Sequence, residues 1–583
     1  MDRTDLVAQA VRLALAASMA GIASFTPAYA QDDPGDVAVQ EKVVVTGTRI
    51  KRAEAEGALP ITVITREDID ASGEISVAEV LRTQTFNTFG SEKPGLTGDT
   101  SEIDMRGLGD KYTLILVNGR RTASGNNLAP IPLAAVERIE VLRDGASAIY
   151  GTEAMAGVIN IILRKDYSGL ILRYEIGRPS QSGGDNDSYS ITGGVGSEKG
   201  NVTFGMEAWS HDIVYYRDRD FTPEQLPFDG LSADGFPASY RAYLAWDDPR
   251  NPTGDEVSLG RFPDPRCPAQ LYTDPAYPWS GTYPSWDGDV CAYGWWGESA
   301  HEADYDTKSF FLDANYEITD GLEFFVSGLF TSNEVSTVWA PSYTGDLYMS
   351  PSSPQNPTNP ENPTNYLGDA FGGQSVEVDT DGDGEPDTTL GGPFNVEVRY
   401  RNVPAGNRDR ESRDTVINYV AGVRGMADWL GGADWELSAQ WSENSSDYTS
   451  EGELDVSLLQ SDIDAGTFDL YGVSGPYTDD VFDAAKSAAM TEPLDAKYRL
   501  AGGDGQISFD AFRLDNGPVP VVLGFEYRDE DAEWDGADDG ARVVKSVFAE
   551  TAIPLLASLE LGIAGRHDDY NDFGTTTNPK LTV

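Results

Sequence analysis

The sequence predicts two parts in series. A small mixed α/β domain over residues 47–166 precedes an antiparallel transmembrane β-barrel. The barrel is expected to be incomplete, with about eleven strands of the roughly 22 that the largest plugged barrels close with. Three observations carry this reading. Apolar runs at Tyr112–Val117 and Ala156–Leu163 bracket an amphipathic stretch and a Gly-Ala-Ser-Ala-Ile-Tyr-Gly turn. After Tyr167 the pattern changes to strict alternation of apolar and polar residues. The connections between those alternating runs are short and long in turn.

The chain opens with Arg3 and Arg12, an apolar run from Leu13 to Phe25, and Ala28-Tyr29-Ala30 before Gln31. A charged start, a short apolar core and an A-x-A site describe a secretory signal peptide over residues 1–30. The run is shorter than the roughly 20 residues a spanning helix requires. An exported chain suits the two cysteines, Cys267 and Cys291, which are expected to form one disulfide closing a surface loop.

Residues 31–40 are polar, and Glu41, Lys42, Val43, Val44, Val45 and Thr46 form a short β-prone run. Such a run can add to the sheet edge of a partner through main-chain hydrogen bonds, or serve as the first strand of the following domain. Within 47–166, Pro60–Ile64 reads as a strand, and Thr65-Arg66-Glu67-Asp68 as a capping-box-like helix start. Ser76–Arg82 reads as a second helix, and Val136–Arg143 as a strand of alternating charged and apolar residues. Asn87–Thr100 and Thr122–Pro130 lack periodicity and read as loops.

In the second part, Phe310, Leu312, Ala314, Tyr316 and Ile318 alternate with Thr307, Ser309, Asp313, Asn315 and Glu317. Trp435, Leu437, Ala439 and Trp441 alternate with Glu436, Ser438, Gln440 and Ser442. Alternation alone suits a sandwich or a barrel. Short turns near 197–200, 319–321, 430–433, 515–517 and 554–557 alternate with long excursions at 210–304, 333–413 and 445–503. A sandwich has no reason to sort its loops by side, whereas an outer-membrane barrel does. Trp209, Trp429 and Tyr527 near strand ends suit interfacial aromatic girdles. Eleven strands is an odd count, and the chain stops at Pro579–Val583, at the start of an expected twelfth strand without a terminal aromatic residue. The chain is therefore expected to be an N-terminal fragment.

Several motifs occur in a fixed order: Glu41–Thr46, Pro-Ile-Thr-Val-Ile, Met-Arg-Gly-Leu-Gly with Arg106 and Gly107, and Leu-Val-Asn-Gly-Arg with Asn118, Gly119 and Arg120. Arg-Ile-Glu-Val-Leu-Arg follows with Arg138, Glu140 and Arg143, then Tyr150-Gly151 and Gly157-Val-Ile-Asn160-Ile. This series resembles the plug domain of TonB-dependent outer-membrane receptors, with Glu41–Thr46 similar to the TonB box. Asp144-Gly145, where many members have Gly-Pro, marks a departure and weakens transfer of a siderophore substrate. The resemblance implies a receptor in the outer membrane of a Gram-negative bacterium, surrounded by lipid. It would bind a small-molecule or oligosaccharide ligand with its outer loops and plug apex, and release the TonB box to TonB, which ExbB and ExbD energise. It implies no enzyme and no required cofactor. A passive porin or adhesion-type barrel is the alternative.

Plug charges can pair with lumenal charges of opposite sign. Two arrangements fit Arg106, Arg120, Arg138 and Arg143: pairing with Glu175, Glu207 or Glu436, or an ordinary solvated sheet face. Candidate ligand-facing residues are Phe89, Asn126 and Asn127 on the plug loops, and Trp286, Trp295 and Trp296 in the aromatic-rich 210–304 excursion. Packing of that loop on itself explains its aromatics equally well. Asp379, Asp381, Asp383 and Asp387 have calcium-loop spacing, although Leu390 stands where an EF-hand has its bidentate Glu; a bound calcium and a solvated acidic turn both fit.

Composition excludes other classes. A net charge of −54 excludes nucleic acid, whose phosphates need clustered Lys and Arg. It also makes the loops repel anionic ferric siderophores and tolerate neutral oligosaccharides or cationic complexes. The three histidines, His211, His301 and His567, lie far apart, and no H-E-x-x-H or G-x-S-x-G occurs.

Overall fold

The computed structural model describes residues 46–583 except 47, 51–60, 88–91, 94–99, 102, 144–145, 152, 221–230, 252–255, 271–278, 286–287, 346, 354, 360–374, 379–387, 429–431, 466, 468–488, 535–539 and 557. The signal peptide, residues 41–45, Phe89, Asp144-Gly145, Trp286, Trp429 and the four aspartates of the calcium-like run lie outside the described residues.

The α/β part forms where expected. Strand β1 (Ile61–Thr65) runs into helix α1 (Arg66–Ser72), capped reciprocally by Thr65 and Asp68. Helix α2 (Val77–Arg82) has the same arrangement with Ser76 and Glu79. Strands β2 (Thr113–Val117), β3 (Val136–Leu142) and β4 (Gly157–Leu163) complete a four-stranded sheet ordered β1-β3-β4-β2. The Ser-Ala-Ile-Tyr turn is a single helical turn, α3 (Ser147–Tyr150).

The unbroken apolar character of β2 and β4 has a packing cause. Ile115 and Val117 join Ile69, Val77, Leu81, Ile159 and Ile161 on one face. Leu114 and Leu116 join Ile149, Tyr150 and Val158 on the other. A sheet covered on both faces needs apolar residues at every position.

The second part is one antiparallel sheet of twelve strands in sequential order. They are β5 (Gly169–Gly177), β6 (Asn186–Ser197), β7 (Gly200–His211), β8 (Asp304–Thr319), β9 (Leu322–Trp339), β10 (Arg408–Ala427), β11 (Ala433–Leu454), β12 (Ala489–Leu514), β13 (Gly517–Trp534), β14 (Gly540–Leu556), β15 (Leu559–Tyr570) and β16 (Gly574–Thr582). This corrects the expected fold. The expectation of an incomplete barrel of about eleven strands rested on an odd count. The structure has an even, continuous sheet of twelve, in which Pro579–Thr582 end the twelfth strand instead of beginning it. That strand, Gly-Thr-Thr-Thr-Asn-Pro-Lys-Leu-Thr, has too few large apolar residues to betray its period.

The two faces of this sheet reverse the usual arrangement of a soluble protein. Leu170, Leu172, Ile191, Tyr316, Ile318, Phe525 and Leu581 are exposed, while Thr203, Thr307, Thr331, Asn333, Ser442, Ser546 and Asp568 are buried. An apolar exterior and a polar interior are what a barrel in lipid requires. Phe311 of β8 and Leu329 of β9 belong to the same apolar cluster as the α/β domain's core, and Ala564 of β15 packs on its opposite face. The α/β domain therefore sits against the inner face of the sheet. Trp209 is not a girdle residue: it faces inward and packs with Ile75, Tyr305 and Val335.

The long excursions are not irregular. Strands Leu231–Ser232, Ser239–Leu244, Val257–Pro263, Ser280–Ser285 and Gly288–Gly294 from the first, with Leu347–Met349 and Asn395–Arg399 from the second, build one seven-stranded sheet. Helix α4 (Val456–Ala465) from the third contributes Leu459 and Ile463 to its core, beside Tyr240, Tyr293, Phe394 and Tyr400. The disulfide Cys267–Cys291 ties this loop module, as expected.

Candidate functional site

The interface between the α/β domain and the barrel wall is built from turns that aim polar groups outward. In Leu-Val-Asn-Gly-Arg, Asn118 (φ 49) and Gly119 (φ 79) are the two left-handed residues of a hairpin turn. Val117 and Arg120 exchange both backbone hydrogen bonds across it, at 2.9 and 3.0 Å. Asn–Gly is the favoured pair for such a turn. Asn160 accepts from the Gly119 N–H at 2.8 Å, and Asn118 Oδ1 accepts from the Leu163 N–H at 2.9 Å, so the motif's parts brace one another. The turn places Arg120 against the wall, 2.7 Å from Glu436 and 3.0 Å from Asp504, with Ser438 also accepting at 3.0 Å.

The loop Thr122–Pro130 is pinned at both ends. The Ala123 N–H donates to Ser442 of β11 at 2.8 Å, and Thr331 of β9 donates to the Pro130 carbonyl at 2.6 Å. Just beyond, Glu207 of β7 accepts the Leu133 and Ala134 N–H groups at 3.0 and 2.7 Å. Asp70 of α1 pairs with Arg173 of β5 at 2.6 Å. Arg566 of β15 reaches the Ile149 carbonyl at 3.2 Å while paired with Glu526 and Asp568. Arg121 pairs with Glu153, whose carboxyl that guanidinium holds below its usual range.

The N-terminal end has two anchors. Thr46 donates its N–H and its hydroxyl to one oxygen of Glu140, at 2.9 and 2.6 Å, and accepts from Asn160 at 2.9 Å. Two residues on, the Thr48 hydroxyl and Arg49 N–H donate to Glu550 of β14, at 2.6 and 2.7 Å. The Arg49 guanidinium lies over Phe548, and Ile50 is buried with Val522, Phe548 and Ala552.

Of the expected ion pairs, Arg120–Glu436 forms. Arg138 pairs with Glu140 inside the α/β domain, Glu175 pairs with Arg173 of its own strand, and Glu207 takes backbone N–H groups in place of an arginine. Arg106, another left-handed residue (φ 64), and Arg143 are exposed. Gly157 is fixed by space: a Cβ there would lie 2.5 Å from the Leu142 carbonyl oxygen. Among the candidate ligand-facing residues, Asn126 donates to the Asp110 carbonyl at 2.9 Å, and Asn127 is buried with its side chain capping Ala129. Trp295 packs against the loop module's own apolar core, and the buried Trp296 lies edge-on to Trp279, which packs against that core as well. Self-packing thus explains much of the aromatic loop. Asp504, Ser442, Glu526, Glu550 and Arg566 were not singled out by sequence reasoning. Strand parity places them on the polar face, but their partners come from far along the chain.

A small domain seated on the polar inner face of a meander with an apolar outer face defines a plugged outer-membrane barrel. Residues 54–158 match the family model described as the TonB-dependent Receptor Plug Domain. The chain is 35% identical over 193 residues to an iron-regulated outer membrane virulence protein of Vibrio cholerae, covering 30% of this chain and 28% of that one. It is 30% identical over 204 residues to the vitamin B12 transporter of Photobacterium profundum, covering 33% of this chain and 31% of that one. The fold superposes on the ferric enterobactin receptor of Pseudomonas aeruginosa with a TM-score of 0.50 at 16% identity, over 89% of this chain and 59% of the other. Residues 54–158 thus match the plug-domain family, and the chain as a whole shares the fold of a solved outer-membrane receptor. Its matches cover under a third of those two relatives' length.

Proposed function

We propose that the chain acts as an energised importer. A scarce small molecule binds between the outer loops and the plug apex, residues 41–46 are taken up by TonB, and a pull driven through ExbB and ExbD loosens the plug. No covalent chemistry is needed. The observation that carries this reading is the position of Thr46. The last residue of the partner-binding run is bonded directly into the plug sheet through Glu140 and Asn160. A force applied to residues 41–45 therefore reaches the plug through few bonds, each of the kind whose net worth is about 1 kcal/mol. The plug–wall contacts support the same reading, being mostly hydrogen bonds and ion pairs on a polar lumenal face. The names of the curated relatives support a scarce small molecule as cargo and leave its class open.

Deleting residues 41–46 tests the proposal. Loss of uptake with retained ligand binding is the expected result. Unchanged uptake would mean a passive pore.

A further inference from the structure

Above the pinned apex loop, toward the long excursions, the inner face carries a band of polar side chains that find too few partners in the protein. On β9, Asn333 Nδ2 and Thr337 Oγ1 are buried without a hydrogen-bond partner. On β10 the same holds for Arg410 Nε and Nη1, Ser412 Oγ and Asn418 Oδ1, and on β11 for Asn444 Oδ1. Asn333, Thr337, Arg410, Ser412 and Asn418 are each more than nine-tenths buried. The register makes them one surface, because Asn333 stands opposite Asp414, Thr337 opposite Arg410, and Val416, next inward from Asn418, opposite Asn444. The band adjoins the apex, since Thr331 is two residues from Asn333 and Ser442 lies opposite Asn418.

Two features of this band select a ligand. The first is charge. Its inward-facing ions are Arg408, Arg410, Asp414 and Glu453, and both arginines already face Glu453 at 3.8 and 2.8 Å. Two cations and two carboxylates cancel, on a chain whose net charge is −54. A multiply anionic metal chelate would need a surplus of cations to repay its desolvation. The second is hydrogen-bond character. Amides and hydroxyls offer donors and acceptors side by side, a pattern matched by ligand hydroxyls, which both donate and accept. Such a ligand reproduces the bonds of the water it displaces.

We propose that this band recognises an uncharged, polyhydroxylated ligand of the oligosaccharide class. The inference rests on the importer reading of the same lumen. The receptor, purified in detergent, is titrated by calorimetry with short neutral gluco-, xylo-, manno- and galacto-oligosaccharides, and with ferric enterobactin and vitamin B12. Binding of at least one oligosaccharide is expected, weakened about tenfold in Asn418→Ala and in Ser412→Ala, as for one lost hydrogen bond. Thr415→Ala, on the opposite face of the same strand, should leave it unchanged. Near-ultraviolet dichroism checks that each variant is folded. The proposal is overturned if no oligosaccharide binds, if only ferric enterobactin or vitamin B12 does, or if binding ignores both lumenal substitutions. Uptake with and without residues 41–46 separates the two readings. A chelate whose entry requires that segment removes the ligand class and keeps the importer. A sugar that binds but enters equally well without it does the reverse.

Discussion

Thr46 and Glu140 are joined twice, through the Thr46 N–H and the Thr46 hydroxyl, to the same carboxylate oxygen. Glu140 is 2% exposed and also accepts from Arg138, so one buried carboxylate holds both the plug's own arginine and the end of the Glu41–Thr46 run. Thr46→Val removes both hydroxyl bonds, the one donated to Glu140 and the one accepted from Asn160, and keeps the N–H bond, at a cost of about 1–2 kcal/mol. Glu140→Gln removes the charge on which all three donors converge and should cost roughly 2 kcal/mol. A spin label at Val44 should gain mobility in both variants, more in Glu140→Gln. Equal mobility in both variants and the unaltered protein would refute the anchor.

Arg120 bridges two wall carboxylates that no other described cation contacts within 4.0 Å. Arg120→Ala should leave Glu436 and Asp504 facing each other without a counter-charge, loosening the plug by roughly 2 kcal/mol or more. Hydrogen exchange at the Asn118-Gly119 turn should accelerate while exchange in β13–β15 stays constant.

Gly157→Ala introduces a Cβ 2.5 Å from the Leu142 carbonyl oxygen and 2.8 Å from the Met105 side chain. The methionine can move, but the carbonyl belongs to the paired strand. A plug destabilisation of about 1–3 kcal/mol is expected, measurable as a lower urea midpoint for the plug's exchange protection.

Reducing Cys267–Cys291 reopens a loop with a sequence separation of 24. Chain entropy assigns such a closure roughly 3 kcal/mol. Paired Cys→Ser substitution should make the loop module protease-sensitive, while the barrel strands, held by their own ladders, stay resistant.

Glu298 gives the loop module a pH dependence. Burial pushes its carboxyl above the ordinary value of 4.5, although the Tyr293 hydroxyl, Arg217 and Arg401 oppose the shift. The folded module therefore binds this proton more tightly than the opened one. Its contribution is greatest below the unfolded pKa and declines as pH rises through the raised value. Local opening around residues 293–300 should increase over that interval, and Glu298→Gln should flatten the profile. A flat profile in the unaltered protein would exclude Glu298 as the titrating group.

Much of the plug was legible because its signals are local. Thr65 and Ser76 cap helices with side chains three residues on; Asn118-Gly119, noted in the sequence only as part of a motif, carries an equally local turn signal. The eleven alternating strands were legible for a similar reason, since each shows its period within about eight residues. The twelfth was not, because Gly574–Thr582 offers threonines where its neighbours offer large apolar groups. The loop module escaped notice because its sheet pairs strands from separate excursions, Ser239–Leu244 with Asn395–Arg399. No window of sequence contains both.

The sequence by itself determined the order of parts, the two faces of the strands that alternate cleanly, and the tight turn that carries Arg120. Those properties follow from periods of two residues and from backbone preferences of single residues. Only the tertiary structure decided which carboxylate each arginine meets, that Thr46 is held by Glu140, and that aromatic loop residues pack on one another. Those are contacts between positions far apart along the chain, and their energies exist only once the sheet has brought the positions within bonding distance.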